Sequence, residues 1–304
     1  MTEYSWLQSV LGTDDINTLS DNYNIYKESF TIDVSELESL FSTSSKGNQR
    51  KWYVPSGNIY VKEALWYKNR YWKDYLCEVI ASEIYKAFNM PIPIPYVDYF
   101  VCYVKCGDKV IPGSLSKNFL TDTEELLTFG RLLDRQGIEF PVKADLDVKW
   151  DLLVDVLNKH MTYDVTEDLV YMFVVDFLMG NEDRHINNFG LCRDWRTNKF
   201  MMIPLFDTGM SLLQGSDTSS PIMRPFGIKS VDCLQLILKK RNILYKLPDV
   251  IDVSKCSFPS QQSLDMLINN ARMLGIEVKR GDNYDIFRKF RGNTKFRQNS
   301  INTV

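Results

Sequence analysis

The sequence predicts an α+β fold built as two lobes. Strand-like segments with one helix dominate the first third of the 304 residues, and helical patterns with one β-hairpin dominate the rest. The pattern changes near residues 113–122, so we place an N-terminal lobe at 1–116 and a C-terminal lobe at 117–304. A chain of this length can bury two lobes without disulfides or structural metal ions.

The N-terminal lobe is predicted to be an antiparallel sheet with one helix. Residues 49–54 and 59–63 have strand composition, and they flank Pro55-Ser56-Gly57-Asn58, which is a typical hairpin turn. A helix is expected at 73–88 because apolar residues recur on one face and Pro91 follows. Further strands are predicted at 29–34, 96–104 and 110–111.

The C-terminal lobe is predicted to be mostly helical. The helix at 167–179 is strongly apolar and is expected to be buried. Asp176 lies inside it and requires a partner there, so we expect it to organise the loop that follows. The other helices are predicted at 124–133, 150–160, 234–245 and 263–274, and the hairpin strands at 189–192 and 200–206.

Composition and charge exclude several classes of protein. The 36 Lys and Arg against 39 Asp and Glu give a net charge of −3, which argues against a general nucleic-acid binder. The sequence contains neither the ~18–20 apolar residues of a membrane-spanning helix nor a Sec signal. Six cysteines without a C-x-x-C pair and two histidines argue against structural zinc and predict free thiols in a reducing cytosol.

One polar loop carries the residues that say most about function. It spans residues 180–190, after the buried helix and before the hairpin, whose second strand leads to Asp207-Thr208-Gly209. Phosphoryl transfer from ATP needs a carboxylate that orients the attacking hydroxyl, and oxygen ligands for Mg²⁺. Asp183, Asn188 and Asp207 fit these roles in order and spacing. Each alone is more often a loop or capping residue, but together in this frame they predict phosphoryl transfer.

A short polar loop at 42–48 is the predicted counterpart in the N-terminal lobe. Such a loop can offer backbone N–H groups to phosphate, although Gly47 is its one glycine and it matches neither the Walker pattern nor G-x-G-x-x-G. A four-residue hairpin turn would place Lys51 opposite Lys62 and return Lys62 beside the loop. The nucleotide-binding candidates are therefore Ser44, Ser45, Lys46, Gly47, Lys51 and Lys62.

Lys62 is expected to be held by an acidic residue of the next helix. Glu78 is the preferred partner, and Asp74, one turn earlier, is the alternative. An ion pair of this kind would orient the lysine towards phosphate. Glu78 is therefore included among the nucleotide-binding residues.

The quoted motifs resemble those of a known family. The block Asn181-x-Asp183-Arg184-His185-x-x-Asn188-x-Gly190, followed by Asp207-x-Gly209, resembles the HipA-like serine/threonine kinases. Residues 45–53 and 60–63 resemble the N-lobe of the short CtkA-type branch, and 111–120 resembles its segment between the lobes. The resemblance covers about residues 30–240.

The resemblance implies a two-lobed protein-kinase-like fold that uses ATP and Mg²⁺. Asp183 would be the catalytic base, Asn188 and Asp207 the magnesium ligands, and Lys62 a contact to ATP phosphate. The acceptor would be a Ser or Thr hydroxyl of a protein, and autophosphorylation would fall on Ser42, Ser44 or Ser45. Arg184 and His185 are expected to brace the loop by hydrogen bonds.

The resemblance also bears on partners and location. Longer toxin members carry an additional N-terminal subdomain, for which this chain is too short, so an antitoxin partner stays open. A bacterial cytoplasmic location is expected, and non-Sec delivery to a host cell also stays open.

Two other functions remain alternatives to the protein kinase. A lipid or small-molecule kinase is one, because phosphoinositide kinases share a D-R-H-x-x-N loop and an Asp-x-Gly. A nucleotide-binding interaction module with a degenerate site is the other, because the loop at 42–48 is poor in glycine.

The C-terminal segment 279–297 has its own charge pattern. It holds seven basic and two acidic residues, a net charge of +5, with Phe287, Phe290 and Phe296 between them. The pattern predicts an amphipathic segment that packs its phenylalanines on the C-terminal lobe, or else a docking patch for an acidic partner, nucleic acid or membrane surface.

Overall fold

The structure of the protein is a computed structural model. The structure describes residues 30–40, 49–67, 70–71, 74–87, 95–212, 236, 247–254, 256 and 261–279. The loop at 42–48, the predicted helix at 234–245 apart from Leu236, and the basic segment after Lys279 lie outside the described residues.

The described elements form a strand-rich first part, which is followed along the chain by a helix-rich second part. The strands are β1 (Phe30–Asp33), β2 (Lys51–Val54), β3 (Ile59–Glu63), β4 (Trp66–Tyr67), β5 (Arg70–Tyr71), β6 (Tyr99–Cys106), β7 (Lys109–Lys117), β8 (Glu124–Thr128), β9 (Gly190–Asp194), β10 (Lys199–Met202), β11 (Val250–Asp252) and β12 (Glu277–Lys279). The helices are α1 (Asp74–Ala87), α2 (Phe129–Gln136), α3 (Leu146–Asn158), α4 (Thr166–Met179) and α5 (Gln261–Met273).

The first part is a five-stranded sheet in the order β1-β6-β7-β3-β2. The pairs β6–β7, β7–β3 and β3–β2 are antiparallel as predicted, whereas β1 joins β6 in parallel. The predicted hairpin register is confirmed, with Val54 opposite Ile59 and Lys51 opposite Lys62. Asn58 closes the turn at φ +50°, a left-handed conformation that asparagine tolerates.

The two faces of this sheet have different neighbours because side chains alternate along each strand. One face carries an apolar cluster that includes Trp52, Ile59 and Val61. The opposite face presents Lys62 and receives α1, whose apolar residues belong to the larger core shared with the helices of the second part. Lys62 therefore lies on the face that turns towards the rest of the molecule.

The helix predicted at 124–133 is partly wrong. Residues 124–128 form β8, which pairs antiparallel with β9 and makes the hairpin β9–β10 a three-stranded sheet. The helix begins only at Phe129, where the Thr128 hydroxyl accepts a hydrogen bond from the Arg131 N–H at 3.3 Å. Pairing with β9, a partner distant in sequence, decides the conformation of a segment whose local pattern also suits a helix.

Helix α4 lies at the centre of the second part, as its apolar sequence predicts. Every residue from Leu169 to Met179 is buried, including Asp176. The helix ends at Gly180, whose φ of +60° suits the left-handed cap position. From α5, the Asn270 amide donates to the Phe177 carbonyl oxygen at 2.8 Å, which satisfies a terminal carbonyl group of α4.

A short parallel bridge joins the two parts of the molecule. It pairs Tyr96, which precedes β6, with Leu205. The Val97 N–H donates to the Leu205 carbonyl at 2.9 Å, and the Leu205 N–H donates to the Pro95 carbonyl at 2.8 Å. The bridge sets the segment that leads to Asp207 against the first sheet, and the structure confirms the two-lobed α+β arrangement.

Within the described ranges, no helix combines the length and apolar character that a membrane crossing would require.

Truncation of buried Val61 tests the apolar face of the sheet. Val61→Ala is expected to lower the free energy of unfolding by about 2 kcal/mol, because it removes two fully buried methyl groups and leaves a cavity. Val110→Ala is the matched control, because Val110 is also in a strand of this sheet but is 56% exposed, and it should cost less than ~0.5 kcal/mol. Urea denaturation measures both, and equal losses would contradict this packing.

Candidate active site

Lys62 lies between two carboxylates in the cleft where the lobes meet. Its Nζ is 2.6 Å from Glu78 Oε1 of α1 and 2.9 Å from Asp207 Oδ1 of the second lobe. Glu78 is buried, and its other oxygen accepts a hydrogen bond from the Ser114 hydroxyl at 2.6 Å. The predicted Lys62–Glu78 ion pair is therefore confirmed, with Glu78 rather than Asp74 in direct contact.

The charges of this cluster stabilise one another. Burial opposes the charge of Lys62, but Asp207 and Glu78 outweigh it and raise the lysine pKa well above its usual value. Burial likewise opposes ionisation of Asp207, and the Lys62 ammonium overcomes this and lowers the Asp207 pKa to about 2. At neutral pH the cleft therefore holds a lysine cation and an ionised Asp207.

Lys51 lies on the same face of the sheet as Lys62, because the two residues are opposite each other in register. Its Nζ lies 4.8 Å from the centre of the Tyr60 ring. Burial and the neighbouring Lys62 charge lower the Lys51 pKa. Two lysines therefore point to one region, which favours the arrival of an anionic ligand.

Asp74 lies at the start of α1, where it contacts the segments that flank the β2–β3 hairpin. Its carboxylate accepts from the Leu65 N–H at 3.2 Å and from the Gln49 side-chain amide, which also donates to the Glu63 carbonyl. Burial raises the Asp74 pKa to about 6, although Lys62 acts in the opposite direction. Asp74 thus links the start of α1 to both ends of the β2–β3 hairpin.

A buried ion pair braces the loop that follows α4. The Arg184 guanidinium donates to both Asp176 oxygens, from Nε at 2.8 Å and from Nη2 at 2.9 Å, and neither side chain is exposed. The Asn181 amide donates to the same carboxylate at 2.7 Å. The expectation that Asp176 has a buried partner and organises this loop is confirmed, and so is the bracing role of Arg184.

Arg184 also joins the loop to the segment between β10 and Asp207. Its Nη1 donates to the Asn188 carbonyl at 2.7 Å and to the Phe206 carbonyl at 3.0 Å. One side chain therefore holds Asn188 and the residue before Asp207 near each other. His185 is also buried, and its Nδ1 accepts from the Asn187 N–H at 3.2 Å.

Asp207 is oriented by its backbone as well as by Lys62. Its φ of +54° is left-handed, a conformation that costs energy for a residue other than glycine. Its N–H donates to the Tyr99 hydroxyl at 3.3 Å, a contact between the two lobes. The Asp207 carboxylate faces the first sheet, where it contacts Lys62.

Asn188 has an oxygen that suits a metal ion. Its amide nitrogen donates to the Asp183 carbonyl at 3.0 Å, while its Oδ1 is buried and has no hydrogen-bond partner among the residues that the structure describes. Such an oxygen is costly unless a ligand satisfies it. Amide and carboxylate oxygens are the ligands that Mg²⁺ prefers, so Asn188 Oδ1 and ionised Asp207 fit a magnesium ion.

The structure brings most of the sequence-predicted site residues into one cleft. Lys62, Glu78 and Asp207 are in direct contact, and Lys51 is in the same row of the sheet. Asp183 and Asn188 share a hydrogen bond on the braced loop. Ser44, Ser45, Lys46 and Gly47 lie outside the described residues.

Two polar residues of the cleft have no sequence motif to reveal them. Ser114 is opposite Lys62 in the β3–β7 register and fixes Glu78, and Tyr99 hydrogen-bonds the backbone of Asp207. The register of β7 against β3 would have revealed Ser114. Tyr99 comes near Asp207 through the contact between the lobes, which leaves no local signal.

Comparisons with known proteins give a partial sequence match. No family model matches the chain. The sequence is 33% identical over 104 residues to the serine/threonine-protein kinase CtkA of Helicobacter pylori, an alignment that spans 33% of this chain and 31% of that protein. The chain thus matches about a third of the curated relative's length, and the match supports its resemblance to the CtkA-type kinases.

The fold of this chain also matches a solved structure. It is the crystal structure of a Helicobacter pylori proinflammatory kinase, CtkA, with a TM-score of 0.49 and 18% sequence identity, covering 80% of this chain and 95% of that chain.

Removal of the buried carboxylate tests the brace. Asp176→Asn is expected to lower the free energy of unfolding by about 3–5 kcal/mol, because it leaves the buried Arg184 guanidinium without its counter-charge. The matched control is Asp33→Asn, which removes one partner of the exposed Asp33–Lys105 pair and should leave the unfolding transition nearly unchanged. Chemical denaturation of both variants measures this, and a mild effect of Asp176→Asn would refute the brace.

The raised pKa of Asp74 predicts a pH dependence of stability. The folded protein holds the Asp74 proton up to about pH 6, while the unfolded chain releases it near the ordinary value of 3.8. Its contribution to stability is therefore present below pH 3.8 and is lost as the pH rises through 6. Relative to Asp74→Asn, the parent should lose about 2–3 kcal/mol between pH 4 and pH 7. Chemical denaturation of both proteins at several pH values measures this. If the free energy of unfolding changed equally with pH in the parent and in Asp74→Asn, the assignment would be wrong.

Proposed function

We propose that this protein is a kinase that transfers the γ-phosphoryl group of ATP, with Mg²⁺, to Ser or Thr hydroxyls of a protein. The observation that carries the proposal is the meeting of Lys62, Glu78 and Asp207 in the cleft, with the Asp183–Asn188 loop tied to the same strand through Arg184. The partial sequence match to a protein named as a serine/threonine-protein kinase supports the same activity.

Each residue of the cleft has a proposed role. Lys62 contacts the ATP phosphates, and Glu78 keeps the lysine extended towards them through the 2.6 Å ion pair. Asp183 orients the acceptor hydroxyl and accepts its proton. Asn188 and Asp207 hold Mg²⁺ through oxygen atoms, and the bound metal would offset negative charge on the phosphates.

The contact between Lys62 and Asp207 is proposed to be a resting arrangement. Both groups are charged, and each neutralises the other while they are 2.9 Å apart. A nucleotide phosphate would replace Asp207 as a partner of Lys62, and Asp207 would then be available as a ligand. Lys51 supplies a second positive charge beside this position.

Several further expectations remain proposals. Residues 44–47 would cover the phosphates with backbone N–H groups, and autophosphorylation would fall on Ser42, Ser44 or Ser45. The lobe boundary between residues 116 and 117, the cytoplasmic location and docking of a partner at 279–297 also stay predictions.

An assay with labelled ATP and Mg²⁺ tests the proposed activity. The purified protein should phosphorylate itself or a generic protein acceptor such as casein. Asp183→Ala should reduce the rate by about three orders of magnitude or more, because it removes the group that positions the attacking hydroxyl. Glu182→Ala is the control, since it deletes the neighbouring carboxylate of the same loop and should retain most of the activity. Full activity of Asp183→Ala would refute the assignment.

The same assay separates the alternative functions. Phosphorylation of phosphoinositide vesicles in preference to protein would favour a lipid kinase. Binding of ATP and Mg²⁺, seen as a thermal shift, without any turnover would favour an interaction module with a degenerate site.

A further inference from the structure

The helix-rich lobe contains a cavity apart from the Lys62 cleft. Its volume is about 430 Å³, within the range of small-molecule sites, and none of its lining residues belongs to the Lys62 cluster. The lining comes from β8, α2, the end of α3 and the hairpin β9–β10. The cavity is therefore separate from the proposed active site.

The lining of this cavity is positively charged. Arg135, Lys159 and Arg193 contribute three cations, and no carboxylate lines the cavity in the part of the chain that the structure describes. Glu125, which does not line the cavity, forms ion pairs with Arg135 and Arg193 and offsets one of these charges. The two positive charges that remain favour a ligand with two negative charges.

Glu125 holds the two guanidinium groups side by side. Its two oxygens each accept from one arginine, Oε2 from Arg135 at 3.2 Å and Oε1 from Arg193 at 3.2 Å. The Nε of Arg193 also donates to Asn198 Oδ1 at 2.9 Å. A guanidinium has five N–H donors, so each arginine retains donors beyond these bonds. Two oriented guanidinium groups suit the oxygens of a phosphate group.

The rest of the cavity combines an aromatic and an apolar wall. His160 packs on Phe200 with ring centres 5.0 Å apart, and its Nε2 lies 3.3 Å from the Gln136 amide nitrogen. Leu127 and Leu132 add apolar surface. The cavity can therefore accept an apolar group attached to the anion.

We propose that this cavity binds a small phosphate monoester that carries an apolar group. The phosphate would lie between Arg135, Arg193 and Lys159, and the apolar group would lie against Leu127, Leu132 and Phe200. A phosphate monoester carries close to two negative charges at neutral pH, which matches the charge that the lining leaves unbalanced. The proposal does not depend on the proposed kinase activity, because the two sites share no residue.

The two histidines of the chain allow a direct test. In protein labelled with ¹³C at the histidine side chains, His160 reports on this cavity and His185 on the active-site loop. His160→Gln assigns the two signals. Phenyl phosphate, added without ATP or Mg²⁺, is expected to shift the His160 signal in a saturable way. A His160 signal that does not move would overturn the proposal, whatever His185 does.

Variants of the cavity give a second measurement, by titration calorimetry with phenyl phosphate. Lys159→Ala and Arg193→Gln should each weaken binding about five- to tenfold, because each removes one charge-assisted contact. Lys143→Ala removes an exposed lysine of the same lobe outside the cavity, and it should bind as the parent does. Parent-like affinity in both cavity variants would overturn the proposal. Benzoate should bind more weakly than phenyl phosphate, and equal affinity would exclude selectivity for phosphate.

Discussion

The buried ion pair between Arg184 and Asp176 is the interaction on which the cleft depends. It lies between a fully buried helix and the loop that carries Asp183, and the same guanidinium reaches the carbonyl groups of Asn188 and Phe206. A buried charge is tolerated only when its partners satisfy it. The loop and the segment before Asp207 must therefore stay within hydrogen-bond distance of Arg184. The packing of α4 in the core therefore also positions the candidate catalytic and metal-binding residues Asp183, Asn188 and Asp207.

A second constraint acts across the two lobes. Lys62 is anchored to Glu78 within the first lobe and contacts Asp207 of the second, while the Tyr99 hydroxyl accepts a hydrogen bond from the Asp207 backbone. The bridge between Tyr96 and Leu205 joins the same two segments, because Tyr96 lies close in sequence to Tyr99 and Leu205 lies close to Asp207. The left-handed backbone of Asp207 is maintained because these contacts compensate for its strain.

Local rules account for much of the fold and for part of the site. The hairpin register follows from a four-residue turn, which by itself predicts that Lys51 lies opposite Lys62. The apolar run of α4 and the need of Asp176 for a partner also follow from local chemistry. The segment 124–128 does not, because its strand conformation comes from pairing with β9, more than sixty residues later in the chain.

The sequence by itself determined the residue types of the cleft, their order, and the elements that carry most of them. The tertiary structure alone decided that Glu78 rather than Asp74 contacts Lys62, that Ser114 and Tyr99 complete the cluster, and that a charged cavity forms around Arg135, Lys159 and Arg193. The reason is that a motif records spacing along one chain segment. Contacts between segments are set by strand register, helix packing and the satisfaction of buried charge.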